Sequence, residues 1–495
     1  MTHQHPSLRG ASAAWLELGL ALLIAVPASA QKPDDRVVAD RIARVEANLL
    51  PSVRVQGRDY KPAGISDRMR YYGVPAVSVA VIHDGEFEWA RAYGWADVEA
   101  RRPATTSTLF QAASMSKPLA ATAALHLVQS GVLALDEDVN RKLTSWKVLT
   151  HGFGAQHPVT LRGLLTHTAG LTVNGFPGYE EGERIPTVVQ VLSGEPPANT
   201  GPVRVDLEPG STWRYSGGGT TVMQLLLSDV TGQPFPELMR ARVLEPLGMH
   251  ASTYRQPLPV DRHGDAATGY RAGLRPIRGH FHTYPEMAAA GLWTTPSDLA
   301  RWILGVQEAF AGGSQRVISR ETAAAMLTPG LGGWGLGPAM EGAGDSLRFS
   351  HGGANAGFRG TFLGFTNRGD GVVVMTNSDS GGTIATEIVQ AVAREYGWTG
   401  LAPHHIVPVS LPPETLSRLA GRYATAGARP TEVSIRIDGG VPIFVAPDSS
   451  AVELVPTGED SFALASSGTP LRVERDAAGS VVALVVGTVR LERLP

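Results

Sequence analysis

Ser114-Met115-Ser116-Lys117 places a hydroxyl and an amine three residues apart at the head of an apolar run. Side chains at i and i+3 share one helix face. A neutral lysine so placed can take the serine proton and leave a nucleophilic alkoxide, work that arginine, which never deprotonates, cannot do. Lysine is scarce here: only five occur, at 32, 61, 117, 142 and 147, among 43 lysines and arginines. Pro118 is tolerated in a first turn, where amides have no helical partner, and Leu119, Leu125, Leu127 and Val128 carry a helix to a stop at Gly131. Ser114 is therefore expected near a helix N-terminus, where the dipole and free N–H groups favour the charge of an alkoxide or tetrahedral intermediate. The plainer reading of the same four residues is an ordinary helix start.

Two further stretches supply what such a pair needs. Tyr215-Ser216-Gly217 lies downstream in a helical region, and Ser350-His351-Gly352-Gly353-Ala354 lies at a strand. In this order and spacing the three motifs resemble the serine β-lactamase and penicillin-binding-protein superfamily, in its class C-like, esterase and D-aminopeptidase branch. Leu164-Leu165-Thr166-His167-Thr168-Ala169-Gly170-Leu171 and Ala290-Gly291-Leu292-Trp293-Thr294-Thr295-Pro296-Ser297-Asp298-Leu299 are similar to segments recurrent in that branch, and the likeness runs over 36–397.

The resemblance implies that Ser114 is the acylated nucleophile, Lys117 its base partner, and Tyr215 the phenol that relays a proton to the leaving group. It also implies an oxyanion hole formed by the backbone N–H groups of Ser114 and Ala354, with Gly352 and Gly353 letting substrate approach the strand edge. His351 stands where the β-lactamases keep a strand lysine. A histidine there is expected to be partly charged near neutrality, and so to join Lys117 as a cation beside Tyr215. One position departs from the common pattern: where an asparagine amide usually holds an acylamino side chain, this chain has Gly217, followed by Gly218 and Gly219. That points away from efficient β-lactam hydrolysis and toward a wide glycine-lined pocket for an ester or a bulky amide.

These residues need a scaffold, and hydrophobic patterning outlines one. Arg36 to Leu50 carries a helical stripe of Val38, Ile42, Val45 and Leu49. Val77 to Ile82 and Glu86 to Tyr93 read as strands joined around Asp84-Gly85, a dipeptide suited to the positive φ of a tight hairpin. Helical segments broken by Pro- and Gly-rich loops follow over 131–290, with the loops at 172–186 and 194–212 as candidate pocket walls. A helix is expected from Ser297 through Leu304, strands at Leu347 to Ser350, Gly360 to Phe365 and Gly371 to Met375, and a closing amphipathic helix over Ile384 to Tyr396. Sheet at both ends with helices between predicts an α+β fold: an antiparallel sheet flanked by helices, with an inserted, mostly helical subdomain. This domain is expected over 31–397. Trp398 to Pro413 is rich in proline and reads as a linker, 398–413. Strand-like runs at Val433 to Ile437, Pro442 to Val445, Val452 to Val455, Phe462 to Leu464, Leu471 to Glu474 and Val481 to Val486 then predict a small all-β barrel or sandwich over 414–495.

A chain of 495 residues exceeds one ordinary core, and 43% hydrophobic with 18% charged residues is a globular composition. A net charge of -3 and the lack of any basic run give no electrostatic reason to expect nucleic acid as a partner. Arg9, the apolar stretch Leu18 to Val26 and Pro27-Ala28-Ser29-Ala30 read as a signal peptide over 1–30, cleaved before Gln31. The protein is thus expected to be exported, periplasmic or extracellular, without stable membrane insertion after cleavage, since the apolar run is shorter than the ~20 residues a span needs. There is no cysteine, which removes disulfides and any thiol nucleophile. His280 and His282 flank Phe281 but lack the spaced carboxylate of a metal motif, so neither a metal nor an organic cofactor is expected. His167 reads as structural at a helix-loop junction; Trp213, Trp293 and Trp334 are candidate pocket walls, with packing the expected role for at least two.

The expected function is an exported serine hydrolase acting through an acyl-enzyme on a small ester or peptide-like amide, D-amino-acid peptides included. A β-lactamase, a D,D-carboxypeptidase, and a non-catalytic penicillin-type sensor that is acylated but not turned over are the alternatives. Nothing in the sequence sets the oligomeric state.

Overall fold

A computed structural model describes residues 35–495 apart from 151, 154–155, 427–429 and 448–450. The expected signal peptide over 1–30 lies outside the described residues. Seven strands form the main sheet: β1 (Ala76–His83), β2 (Glu86–Asp97), β3 (Arg102–Pro103), β4 (Ala339–Glu341), β5 (Arg348–Asn355), β6 (Phe358–Phe365) and β7 (Gly371–Thr376). Their spatial order is β3-β2-β1-β7-β6-β5-β4, with every neighbouring pair antiparallel. The N-terminal hairpin and the C-terminal strands therefore meet in one sheet through β1 and β7, as the α+β reading requires. Asp84 and Gly85 both take positive φ at the β1–β2 turn.

The helices that position the cleft are α1 (Asp35–Ala47), α2 (Ser116–Gln129), α3 (Gly217–Thr231), α4 (Met287–Ala290), α5 (Pro296–Ala311) and α6 (Gly381–Glu395). Strand β1 is buried on both faces, and its side chains alternate between two cores. Val77, Val79 and Val81 pack with Ile42 and Val45 of α1 and with Ile384, Ile388 and Val392 of α6. Ala76, Ala80 and Ile82 face the larger core that holds α2, α3 and α5. Helix α2 is buried on every side from Ser116 to Leu125, the pattern of a central helix rather than of a surface one. Strand β4 pairs only with Arg348 to Ser350 of β5, so His351 to Asn355 present a strand edge without a neighbouring strand among the described residues.

The C-terminal strands β8 (Gly421–Ala424), β9 (Glu432–Asp438), β10 (Val441–Val445), β11 (Ala451–Gly458), β12 (Ser461–Leu464), β13 (Pro470–Arg475), β14 (Val481–Val486) and β15 (Val489–Arg493) close into a barrel. Closure by β8 against β15 removes the free edges that an open sheet would leave. Those two strands escape the sequence pattern because β15 buries only its central Leu491 and β8 is four residues long. The stretch read as a linker holds a strand of its own. His404–Ile406 pairs in parallel with Val53–Val55, and Val53, Val55 and Ile406 pack on Val455 and Ala463 of the barrel. No helix of the described residues is long and apolar enough to cross a membrane.

Candidate active site

Ser114 lies in a short 3₁₀ turn, Ala113–Met115, that runs directly into α2. Ala113 takes φ 50°, a left-handed conformation that a residue with a Cβ adopts at a cost and that the surroundings must hold. Ser116 supplies part of that hold. Its fully buried Oγ donates to the Ala113 carbonyl at 2.5 Å and accepts from the Leu292 N–H at 3.1 Å. The second serine of the motif is thus a clamp, and the first is the one that faces Lys117. Lys117 Nζ donates to Ser114 Oγ at 2.9 Å and to the Ala289 carbonyl of α4 at 2.7 Å, and it lies 5.0 Å from the centroid of the Tyr215 ring. Lys117 is only 4% exposed, so these contacts are made largely out of water, where they are stronger.

Tyr215 precedes α3, whose N-cap is Ser216: its Oγ accepts from the Gly219 N–H at 2.9 Å and donates to the Thr172 carbonyl at 2.8 Å. The Tyr215 ring rests against His167, with centroids 4.4 Å apart, and Trp334 packs against Tyr215, His167 and His351. His167 Nδ1 accepts the Ser216 N–H at 3.2 Å, which requires a lone pair on that nitrogen. Burial first and the nearby Lys117 second hold its pKa well below the usual imidazole range. His167 is therefore a neutral prop for Tyr215, in line with a structural role.

The partial charge expected on His351 is removed by its surroundings. Burial, followed by the Lys117 ammonium, pushes its pKa down to about 3, so the ring is neutral near pH 7. Its Nδ1 donates to the Gly352 carbonyl at 2.6 Å, which leaves Nε2 as a bare acceptor. Among the described residues, Lys117 is the cation that packs on the Tyr215 ring.

The β5–β6 hairpin closes on the Asn355–Phe358 pair through a two-residue turn. Counting back along an antiparallel ladder, the hydrogen-bonded and open pairs alternate, so the N–H groups of Ala354 and Gly352 point to the unpaired edge. A Cβ on Gly353 would fall 2.3 Å from the Ala112 carbonyl; glycine there is what lets the strand and the Ser114 turn approach each other. Ser114, Tyr215, His351, Gly352, Gly353 and Ala354 together line a cleft of about 480 Å³.

Residues 63–395 match the family model described as Beta-lactamase. The chain belongs to the Beta-lactamase family, a family of serine hydrolases. It is similar to Esterase EstB of Burkholderia gladioli, 36% identical over 182 residues that make up 36% of this chain and 46% of the esterase. The octameric penicillin-binding protein homologue from Pyrococcus abyssi shares the fold with a TM-score of 0.57 at 24% identity, over 86% of this chain and 98% of that one. The D-amino acid amidase from Ochrobactrum anthropi SV3 does so with a TM-score of 0.56 at 23% identity, over 72% of this chain and 99% of that one. The chain spans less than half the length of the curated relatives it matches.

Within this Beta-lactamase fold, Gly217 does not open a pocket as expected. It is buried under the 172–176 loop: its N–H donates to the Asn174 carbonyl at 3.0 Å, and a Cβ would come within 2.9 Å of that oxygen and 3.1 Å of Phe176. Gly218 is closed off in the same way, by the Thr172 carbonyl and Val203. The glycines admit the loop's backbone, and no substrate-binding surface is left at Gly217.

Spacing gave no hint of Gln111 and Asn355. Gln111 Nε2 donates to the His282 carbonyl at 2.7 Å, while Asn355 Nδ2 donates to Gln111 Oε1 at 2.8 Å and to the Ala290 carbonyl at 3.1 Å. These two amides tie the segment ahead of Ser114, the end of β5 and α4 into one unit; their adjacency to the first and third motifs was the only signal. His280 and His282 bond separately, to Thr268 Oγ1 and to the Pro177 carbonyl. Trp293 is fully buried core, whereas Trp213 and Trp334 are half-buried around His167.

Proposed function

We propose that the chain is an exported serine hydrolase that forms an acyl-enzyme at Ser114 and turns over carboxylic esters or peptide-like amides. The observation that carries this reading is the 2.9 Å bond from Lys117 Nζ to Ser114 Oγ, made by a buried lysine that also faces the Tyr215 ring. Once the Lys117–Tyr215 pair has lost a proton, it can accept the Ser114 proton as Oγ attacks the substrate carbonyl carbon. The new oxyanion would sit between the N–H groups of Ser114 and Ala354. Collapse of that intermediate breaks the bond to the leaving group, which takes its proton through Tyr215. Water then attacks the acyl-serine, releases the acid and returns the proton to Oγ.

The esterase name of the Burkholderia relative and the amidase name of the Ochrobactrum neighbour support this substrate class. The closed packing at Gly217 argues against β-lactams, because no amide can be placed there to hold an acylamino group. Export, to the periplasm or beyond, rests on the 1–30 segment alone.

The test is to treat the purified protein with a fluorophosphonate and a fluorescent penicillin, follow the mass of the Ser114 peptide, and assay nitrophenyl esters, nitrocefin and D-alanyl amides. Labelling at Ser114, ester turnover and prompt return to the free mass are expected. An adduct that persists for hours would favour the sensor reading, and rapid nitrocefin hydrolysis with esters untouched would favour a β-lactamase.

A further inference from the structure

A second chamber of about 470 Å³ opens beyond the cleft and shares Ala354 and Arg359 with it. Tyr215, the leaving-group relay of the proposed reaction, lines the first space and not the second. The leaving half of a substrate therefore belongs in the cleft, and the acyl half extends past Ala354 into the chamber.

The chamber's charges are unevenly partnered. At one end the arginines are occupied: Arg359 Nη1 and Arg271 Nη1 lie 2.9 Å and 3.4 Å from the Asp379 carboxylate, and Arg359 also donates to the Asn355 and Phe358 carbonyls. At the other end stand two carboxylates. Glu183 Oε2 already accepts the Glu180 N–H at 2.7 Å, whereas Glu180 Oε1 faces His282 Nε2 at 3.5 Å. His282 is 5% exposed, and its Nδ1 lies 2.9 Å from the Pro177 carbonyl. A carbonyl only accepts, so that nitrogen carries a hydrogen, while the buried Nε2 makes no hydrogen bond within the protein. A carboxylate oxygen and an imidazole nitrogen without a hydrogen bond thus face each other across the chamber wall. An ammonium group brings three donors and the charge opposite to that of the Glu180 carboxylate.

The receptor is also held in place before any ligand arrives. Tyr179 and Thr283 exchange backbone hydrogen bonds of 2.9 Å and 2.8 Å, Asn199 Nδ2 donates to the Gly178 carbonyl, and Gln111 holds the His282 carbonyl. Phe176 and Tyr284 provide walls for an apolar stem.

We propose that this chamber selects substrates whose acyl group ends in a cationic amine, received by Glu180 and His282. The inference rests on the hydrolase reading of the cleft. It is tested with the full chain and three 4-nitrophenyl esters of matched length, carrying 6-aminohexanoyl, heptanoyl or 5-carboxypentanoyl groups. The expected kcat/KM is about tenfold higher for the amine than for the neutral chain, the worth of one charge-assisted hydrogen bond, with the acid poorest. Glu180→Gln should bring the amine-to-neutral ratio close to one while heptanoyl turnover holds, and Glu180→Lys should move the preference to the acid. A ratio near one in the parent, a preference for the acid, or equal loss on all three esters in Glu180→Gln would each overturn the proposal. Turnover of none of the three would overturn the hydrolase reading with it, whereas heptanoyl turnover without an amine preference would overturn this inference alone.

Discussion

The cleft and the C-terminal barrel treat polar groups in opposite ways. The barrel keeps charge outside in cross-strand pairs such as Arg422 with Glu432 and Arg490 with Glu474, and among the described residues it buries no charged or amide side chain. Around the cleft Lys117, His167, His282, Glu286 and His351 are all buried. Nε2 of His282, Nε2 of His351 and both carboxyl oxygens of Glu286 have no hydrogen-bond partner there, and Ala113, His167 and Val173 hold left-handed backbone. In the barrel, pattern, burial and charge all favour the same folded state. The cleft retains groups that cost stability, which is what a site kept for chemistry does.

The contrast breaks most visibly at the nucleophile. Ser114→Ala should lower kcat/KM by at least ~10³-fold and abolish fluorophosphonate labelling. Ser116→Ala should keep the label and instead lose about 1–3 kcal/mol of stability in urea unfolding, because it strands the buried Leu292 N–H. Equal loss of labelling in both variants would erase the distinction between nucleophile and clamp.

Lys117→Arg keeps a charge at the site and removes the capacity to give up a proton; acylation, read from the burst of nitrophenol, should fall ~10²-fold. Rates within a few-fold of the parent would reduce Lys117 to a positioning group.

Glu286 sharpens the comparison through stability. Burial raises its pKa from 4.5 to about 8, so between those values the folded chain holds a proton that the unfolded chain has lost. Its contribution to stability therefore declines as pH rises through that window. Glu286→Gln, which cannot ionise, should gain on the parent at pH 8, by an amount on the order of a few kcal/mol, and not at pH 4.5. A gain of the same size at both values, measured by urea unfolding, would show that ionisation is irrelevant there.

His351 should matter less, and only through contact. With its pKa near 3, it contributes no acidic limb between pH 5 and 7.5, so kcat/KM of His351→Asn should shift by less than ~10-fold along a profile parallel to the parent's. A parental limb near pH 6.5 that disappears in the variant would restore the cationic role. The smallest effect belongs to the barrel: Arg422→Ala should leave both Tm and kcat/KM unchanged within error, as expected for an exposed pair. A clear fall in either would mean that the barrel's surface charge is not the bland feature it resembles.

Much of this was legible in local pattern. Ser114, Lys117 and Tyr215 were marked by residue type and spacing, the β1–β2 hairpin by Asp84-Gly85, and six of the barrel strands by short apolar runs, because each signal is written within a few neighbouring residues. The joining of β1 to β7 followed from sheet at both ends of one domain. Burial and distant contacts were beyond such a reading. That His351 is neutral depends on how deeply β5 lies beside Lys117. Gly217 is closed because residues 172–176 cross over it, His404–Ile406 became a strand because Val53–Val55 was there to pair with, and Glu180 and His282 face each other only because residues 180 and 282 meet across a loop bridge. Sequence determined which groups could react, since reactivity starts with the side chain itself; tertiary structure decided their protonation, their partners and the shape of the space before them, since those depend on what packing excludes from water.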